Sequence, residues 1–147
     1  MEFRAASRGR EVSRSAGRVL IAGTPEAVSL ARAVLGEALQ VVAVHSVQEA
    51  LEALAAREPF HCVVCSLRFD DARMFDFLYT FRASRARTAP RVAYVHASPP
   101  GLSPSVSRAI ETALRSLGVA AFVDFPALVA EFGEPAAREA LRRAILG

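Results

Sequence analysis

The sequence predicts a three-layer α/β sandwich in which helices cover both faces of a five-stranded parallel sheet. Short runs of apolar, often β-branched residues recur five times, and they are separated by predicted helices of about ten to fifteen residues. The runs are apolar at successive positions rather than at alternate ones, which is typical of strands buried on both faces. The chain has 147 residues, of which 52% are hydrophobic, and is long enough for one such core.

The first half of the chain predicts two strand–helix units. Thr24 and Pro25 suit the N-cap and the first turn of one helix. Ser46 and Glu49 have the capping-box spacing that begins the next helix, and Pro59 marks its end. These signals predict strands at 18–23 and 39–44, and helices that follow them to about residues 38 and 58.

The second half of the chain continues the alternation. Met74, Phe77 and Phe81 recur at helical spacing after the third apolar run, and Gly118 ends the helix that precedes the fifth run. A turn-rich SPPGLSP loop follows the fourth run. The predicted strands are 60–67, 91–97 and 119–125, and the predicted helices are 74–81, 105–117 and 135–146.

The carboxyl ends of these strands define the candidate site. Right-handed crossovers between parallel strands favour a flavodoxin-like sheet with strand order 2-1-3-4-5. Ligands and reactive groups of such folds collect outside the carboxyl ends of the strands, beside strand 1. The residues expected at those ends are Gly23, Thr24, Ser66, His96 and Asp124.

Three segments carry a resemblance to a known family. They are AVHSVQEALEAL, CVVCSLRFDDARMFDFLYTFR and TAPRVAYVHA, and they occur in the predicted order of strands and helices. In these respects residues 18–146 resemble the receiver domain of bacterial response regulators. The resemblance implies the flavodoxin-like fold and a role in two-component signal transduction or a phosphorelay.

The resemblance does not extend to the family's phosphorylation site. Receivers carry two acids after strand 1, a phosphoaccepting aspartate after strand 3, a hydroxyl after strand 4 and a lysine after strand 5. The matching positions hold Gly23, Thr24, Ser66, His96 and Asp124, in a chain that has no lysine. Gly23, Thr24 and Ser66 offer magnesium no carboxylate, and a serine hydroxyl is a poor acceptor without an activating base. We therefore expect a degenerate phosphoacceptor pocket that is not phosphorylated as in the family.

The same positions permit a catalytic interpretation, which the sequence does not favour. Ser66, His96 and Asp124 are the residue types of a hydrolytic triad, but no Gly-x-Ser-x-Gly elbow surrounds Ser66. A structural use is more economical, with Asp124 or Ser66 hydrogen-bonded to His96 as a polar plug. We expect no enzymatic activity.

A CxxC at Cys62 and Cys65 and an acidic pair at Asp70 and Asp71 lie in or just after the third predicted strand. Residues three apart on a strand point to opposite faces, so we expect the thiols to be packing residues rather than a chelating or redox pair. The acidic pair has no further oxygen donors nearby in sequence, and we expect it to cap the helix that follows. The sequence thus predicts no metal and no cofactor.

Charged residues near the C-terminus form the predicted interaction face. Receivers commonly signal through helix 4, strand 5 and helix 5, which correspond to residues 105–117, 120–125 and 135–146. Charges of both signs on this face suit another signalling protein or a second copy of the chain. The predicted contact residues are Arg108, Glu111, Arg115, Arg138 and Arg142.

The N-terminus predicts a disordered basic arm at residues 1–17, ahead of a receiver-like domain at residues 18–147. Five arginines against two glutamates give the first 18 residues a charge of +3, which equals the net charge of the whole chain. The arginines are Arg4, Arg8, Arg10, Arg14 and Arg18. No apolar run approaches the length of a membrane span, no secretory signal is apparent, and two cysteines suit a reducing compartment, so we expect the cytoplasm.

Three functional hypotheses follow. The sequence favours a non-enzymatic, phosphorylation-independent receiver-like module that binds proteins in bacterial signal transduction. The alternative is a nucleic-acid-associated protein that uses the basic arm as its contact and the body as a dimeriser. A third hypothesis is a small-molecule sensor or enzyme that has reused the strand-end pocket.

Overall fold

The predicted sheet order is confirmed by a computed structural model, which describes residues 17–84 and 90–147. Within these ranges, five parallel strands are arranged in the order β2-β1-β3-β4-β5. The strands are β1 (Arg18–Ala22), β2 (Gln40–Val44), β3 (Cys62–Cys65), β4 (Arg91–His96) and β5 (Ala121–Asp124).

The predicted N-terminal arm lies outside the described residues except for its last residue. The carbonyl of Gly17 accepts a hydrogen bond from the amide of Gln40 at 3.0 Å. This bond extends the pairing of β1 with β2 by one residue, because Arg18 and Gln40 are partners in the parallel register. Gly17, which the sequence analysis assigns to the end of the arm, is thus hydrogen-bonded to the sheet.

Seven helices occur in the described part of the chain. Five of them lie within about three residues of the predicted boundaries, whereas the third and the sixth were not predicted. The helices are α1 (Pro25–Leu35), α2 (Val47–Ala55), α3 (Phe69–Ala72), α4 (Met74–Ser84), α5 (Pro104–Ser116), α6 (Phe125–Phe132) and α7 (Glu134–Leu146).

Local capping explains where the first two long helices begin. The Thr24 hydroxyl accepts a hydrogen bond from the Ala27 amide at 3.2 Å, and Pro25 occupies the first turn of α1. The Ser46 hydroxyl accepts from the Glu49 amide at 3.0 Å. The Glu49 carboxylate accepts in return from the His45 amide at 2.7 Å, one residue before the position that a standard capping box uses. Both predicted caps are confirmed.

The sheet is buried on both faces, as the apolar strands predict. One core cluster lies under α2, α4 and α5, and the other under α1 and α7. Cys65 belongs to the first cluster and Cys62 to the second, and both thiols are free and buried. The prediction that these cysteines point to opposite faces of β3 is confirmed, because neighbouring strand positions alternate between faces.

The segment after β5 differs from its prediction. A strand was expected at 119–125 and a helix from residue 135, but β5 ends at Asp124 and α6 begins at Phe125. The Asp124 carboxylate accepts a hydrogen bond from the Ala127 amide at 3.2 Å, and Pro126 lies in the first turn of α6. Asp124 and Pro126 form a helix-start signal similar to Thr24 and Pro25 in α1. The sequence analysis assigns Asp124 to the candidate site instead, and it therefore does not predict α6.

The acidic pair after β3 also differs from its prediction. The Asp70 carboxylate accepts a hydrogen bond from the Val47 amide at 2.8 Å, so it caps α2 rather than the helix that follows it in sequence. Asp71 is exposed. Asp70, Asp71 and Ala72 have φ angles of 50°, 57° and 65°, so α3 contains three successive residues with left-handed φ angles. Each such residue costs about 1–2 kcal/mol unless it is glycine.

Replacing Ala72 by glycine is expected to raise the free energy of unfolding by about 1 kcal/mol, because glycine adopts a positive φ without a Cβ clash. Urea unfolding followed by circular dichroism measures the change. The control is Ala109→Gly in α5, an exposed position in a right-handed helix, which should lower the unfolding free energy by about 1 kcal/mol. A loss of stability in both variants contradicts the strained geometry of α3.

Candidate functional site

Three of the five predicted site residues meet in one cleft at the carboxyl edge of the sheet, here called the strand-end cleft. Thr24 follows β1, Ser66 follows β3 and His96 ends β4, and all three line it. Gly23 packs against Ser66 behind the cleft, whereas Asp124 lines a different cleft on the far side of Leu102. The other residues of the strand-end cleft are Glu26, Leu67, Arg68, Val95, Ala97, Ser98, Pro99, Pro100 and Leu102.

Gly23 and Ser66 approach each other so closely that a side chain at position 23 would displace the Ser66 hydroxyl. A Cβ atom on Gly23 would lie 2.7 Å from Ser66 Oγ, and 3.3 Å from both Ser66 Cβ and Ala27 Cβ. Contacts below about 3 Å between non-bonded carbon and oxygen are repulsive, because atoms in a protein core sit near 3.5–4.0 Å apart. An acidic side chain at position 23 therefore requires Ser66 and α1 to move.

The Ser66 hydroxyl is buried without a partner. Ser66 is 4% exposed, and its Oγ makes no hydrogen bond within the described residues. Its backbone is satisfied, since the amide donates to the Ala22 carbonyl at 3.1 Å and the carbonyl accepts from the Phe69 amide at 3.1 Å. An unpaired buried hydroxyl costs about 1–3 kcal/mol. Among residues 17–84 and 90–147, no side chain lies within hydrogen-bond distance of this hydroxyl.

Thr24 and Asp124 use their side-chain oxygens to cap helices. The Thr24 hydroxyl accepts from the Ala27 amide in α1. The two Asp124 oxygens accept from the Ala127 amide at 3.2 Å and from the Leu102 amide at 2.8 Å. The Asp124 carboxylate therefore ties the end of β5 both to α6 and to the loop that follows β4.

The predicted polar plug around His96 is wrong. His96 and Asp124 are partners in the β4–β5 register, but the His96 ring Nε2 lies 2.8 Å from the Pro100 carbonyl oxygen, to which it donates. The loop between β4 and α5 thus folds back on the ring. Because the Ser66 hydroxyl is unpaired and Asp124 caps α6, neither supplies the predicted bond to His96.

The strand-end cleft holds two charged residues besides the predicted ones, and sequence reasoning missed one of them, Glu26. Glu26 lies in the first turn of α1, and Arg68 follows β3, and both are exposed. Both residues line the cleft because the first turn of α1 and the loop between β3 and α3 begin at the ends of strands. Their residue types alone do not mark them as part of a site. Within residues 17–84 and 90–147, no three potential metal ligands cluster together.

The comparison with known proteins identifies the fold. By sequence, the chain matches no protein-family model and no curated protein. It is similar in structure to a sensor protein from Polaromonas sp. JS666, with a TM-score of 0.60 and 25% identity, covering 88% of this chain and 95% of that one. It is also similar to the chemotaxis response regulator CheY4 of Vibrio cholerae, with a TM-score of 0.60 and 16% identity over 87% and 98% of the chains. The phosphorylated cyanobacterial phytochrome response regulator RcpA gives a TM-score of 0.63 and 13% identity over 89% and 94%.

The fold is that of a receiver domain. The solved structures that share it are mainly response-regulator receivers, and the five-stranded order 2-1-3-4-5 is common to this chain and to that architecture. In the described part of the chain, no helix has the length and apolar character needed to cross a bilayer.

Cys62 and Cys65, the CxxC of β3, lie in an environment that does not favour the thiolate form. Burial raises the pKa of the Cys62 thiol to about 12, against a smaller lowering by Arg91. Burial raises the pKa of Cys65 as well, and the neighbouring Cys62 adds to the rise. Both thiols therefore stay protonated at neutral pH, whereas nucleophilic and metal-binding cysteines act as thiolates.

The five residues of the predicted interaction face lie on two different surfaces. Glu111 and Arg115 form an ion pair at 2.6 Å on α5, and the Arg115 guanidinium stacks over the Phe122 ring. Arg142 instead donates to the Val34 carbonyl of α1 at 2.9 Å. Arg138 lines the same groove between α1 and α7. The prediction of one continuous face is wrong, since only Arg108, Glu111 and Arg115 share α5.

A second cleft was not anticipated from the sequence. It lies between α5, β5 and α6, and Tyr94 of β4 lines it. Tyr94 is 3% exposed, and its hydroxyl makes no hydrogen bond within the described residues. Burial raises the pKa of the Tyr94 phenol, with smaller contributions from Cys65 and Asp124, so the hydroxyl keeps its proton. We call this the α5–α6 cleft.

The contact between Gly23 and Ser66 predicts non-additive mutations. Gly23→Ala is expected to lower the free energy of unfolding by about 1–3 kcal/mol through overpacking. Ser66→Ala is expected to raise it by about 1 kcal/mol, because it removes an unpaired hydroxyl. Gly23→Ala should cost less in the Ser66→Ala background, where the 2.7 Å contact is absent. Denaturant unfolding of the four proteins measures the coupling, and equal costs in the two backgrounds contradict the contact.

Proposed function

We propose that this chain is a non-enzymatic, receiver-like module of bacterial two-component signalling, which binds another protein and does not depend on aspartyl phosphorylation. The fold shared with response regulators supports the signalling role. One observation carries the independence from phosphorylation. Ser66, at the position that the receiver resemblance gives to the phosphoacceptor, is a buried serine packed on Gly23.

The surroundings of Ser66 support the same proposal. Magnesium requires several oxygen ligands, usually carboxylates, in octahedral geometry. Gly23 has no side chain, the Thr24 hydroxyl caps α1, and Glu26 is the one acid among the residues of the strand-end cleft. The receiver resemblance gives position 124 a lysine, whereas Asp124 supplies no cation there to neutralise a phosphoryl group.

The exposed side of α5 is the surface that best supports a protein contact. Arg108 is exposed there, beside the Glu111–Arg115 ion pair and the edge strand β5. Exposed charges of both signs steer association and reject partners of the wrong charge. The partner that fits is a signalling protein with a complementary mixed-charge surface, or a second copy of this chain. Two buried free thiols suit a reducing compartment, so we place this interaction in the cytoplasm.

Incubation with acetyl phosphate and magnesium is expected to leave the mass of this chain unchanged. The strand-end cleft has no carboxylate nucleophile at position 66 and too few carboxylates to bind magnesium. Intact-mass spectrometry measures the product. The control is a receiver that retains its acids, aspartate and lysine, treated in the same mixture. A magnesium-dependent phosphoryl adduct on Ser66, Asp70 or Asp71 contradicts the proposal.

Reversing one exposed charge tests the protein contact. Affinity capture from the native cell with Arg108→Glu is expected to retain roughly tenfold less partner than the wild type, because like charges repel across an interface. Quantitative mass spectrometry measures the captured proteins, and Arg57→Glu, an exposed charge before β3, is the matched control. Equal capture by the wild type and by Arg108→Glu contradicts this surface.

Removal of residues 1–16 distinguishes this proposal from nucleic-acid binding through the basic arm. The truncated chain keeps Gly17, which pairs with Gln40, and should therefore fold. Protein capture that survives the truncation supports the module. Binding that is lost with the arm and weakens steeply with salt supports the nucleic-acid alternative.

A further inference from the structure

The sheet ends at β2, and among the described strands only β1 lies beside it. The Gln40 amide donates to the Gly17 carbonyl, so the backbone of Gln40 faces β1. Backbone groups point alternately to the two sides of a strand, so the N–H and C=O groups of Val41 and Ala43 face outward. Within residues 17–84 and 90–147, no backbone group from outside the sheet hydrogen-bonds to them. This edge therefore presents two donors and two acceptors.

β2 carries none of the features that usually protect an edge strand. Such strands are commonly blunted by a charged side chain, a proline or a bulge. β2 has the sequence QVVAV, and it runs beside β1 without a bulge. Its three middle residues are only half-buried. At the opposite edge, β5 ends in the acid Asp124 and leads directly into α6. The outer side of β2 is thus the edge that is open to pairing.

The outward groups of β2 are complementary to those of a second copy of the strand. A two-fold axis through Val42 makes the two strands antiparallel and places Val41 of one copy opposite Ala43 of the other. Each of these two pairs exchanges two N–H···O=C bonds, which satisfies every outward group of both residues. The two Val42 side chains then become direct neighbours on one face of the joined sheet.

Charges at the two ends of β2 favour the same arrangement. Glu37 precedes the strand and His45 follows it, and both are exposed. Neither side chain makes an ion pair in the described part of the chain. Antiparallel pairing brings the beginning of one β2 to the end of the other, so Glu37 of each copy approaches His45 of its neighbour. Complementary charges of this kind fix the orientation and register of an interface.

We propose that β2 is a self-association edge, at which two copies of this chain join their sheets into one continuous antiparallel pair of β2 strands. The partner is a second copy because this pairing satisfies the outward groups of Val41 and Ala43 and matches the charges at both ends. The surface is separate from the exposed side of α5, and the inference holds whether or not that side binds another protein. Pairing of one short strand forms a small interface, which is typical of transient complexes.

Sedimentation velocity of the full chain measures the association, and amide hydrogen exchange locates it. We expect a dimer with a dissociation constant of the order of 100 µM, as for a small transient interface. The amides of Val41 and Ala43 should exchange about fivefold more slowly in the dimer, whereas those of Gln40 and Val42 already face β1 and should change less.

Three results overturn the proposal. One is a chain that stays monomeric at about ten times the expected dissociation constant. Another is a dimer in which the Val41 and Ala43 amides exchange as in the monomer, because the copies then meet elsewhere. The third is protection of these amides at every concentration that is lost when residues 1–16 are removed, because the arm then occupies the edge.

Ala43→Pro is designed to open the dimer while keeping the sheet. Proline removes an outward N–H but no bond to β1, and it is tolerated on edge strands at such positions. It should weaken association about tenfold, because two of the intermolecular hydrogen bonds are lost. Circular dichroism checks the fold, and Arg108→Glu on α5 is the control that should leave association unchanged. A folded Ala43→Pro protein that dimerises like the wild type overturns the proposal.

A charge exchange provides a second test that does not depend on a proline. Glu37→Arg should weaken association about threefold, because the new charge faces His45 of the other copy, and adding His45→Glu should restore it. Glu131→Arg on α6, beside the opposite edge of the sheet, is the matched control and should have no effect. A loss that His45→Glu does not reverse, or an equal loss with Glu131→Arg, overturns the antiparallel arrangement.

Discussion

The close approach of Gly23 and Ser66 is the constraint that shapes the carboxyl edge of this sheet between β1 and β3. Ala22 and Cys65 are partners in the parallel register of β1 and β3, so the residues that follow them meet. Ser66 Oγ lies 2.7 Å from where a Cβ of residue 23 would stand, so any side chain there must displace the Ser66 hydroxyl. Receivers hold their acids at this point of the sheet, directly after strand 1. In this chain the same point is filled by the packing of Ser66 on Gly23. Thr24 is left to cap α1.

Asp124 organises the other end of the sheet's carboxyl edge. Asp124 holds the loop after β4 through the Leu102 amide and begins α6 through the Ala127 amide. Because α6 packs beside β5, it forms one wall of the α5–α6 cleft, over Tyr94. Asp124 thus helps to shape this cleft through its two backbone hydrogen bonds.

Sequence reasoning succeeded where neighbouring residues decide the outcome. The caps of α1 and α2, the opposite faces of Cys62 and Cys65, and the sheet order all follow from local hydrogen bonds, from strand alternation and from crossover handedness. It failed at α3 and α6 and at the partner of Asp70, which caps a helix 23 residues earlier. A short helix contains too few residues to show a helical hydrophobic period. A polar side chain can hydrogen-bond to any amide that the fold brings near it, so its neighbours in sequence do not determine its partner.

The residue types of this chain by themselves determined the fold class and led to the prediction that the receiver family's phosphorylation chemistry is absent. Both conclusions depend on local pattern and composition: apolar strands separated by capped helices, no lysine, and no acid directly after the first strand. Only the tertiary structure decided that Ser66 packs on Gly23, that Arg142 faces α1 rather than α5, and that Tyr94 lies buried beside an acidic cleft. These relations join residues far apart in sequence, and their geometry is set by how helices pack on the sheet, which no local pattern encodes.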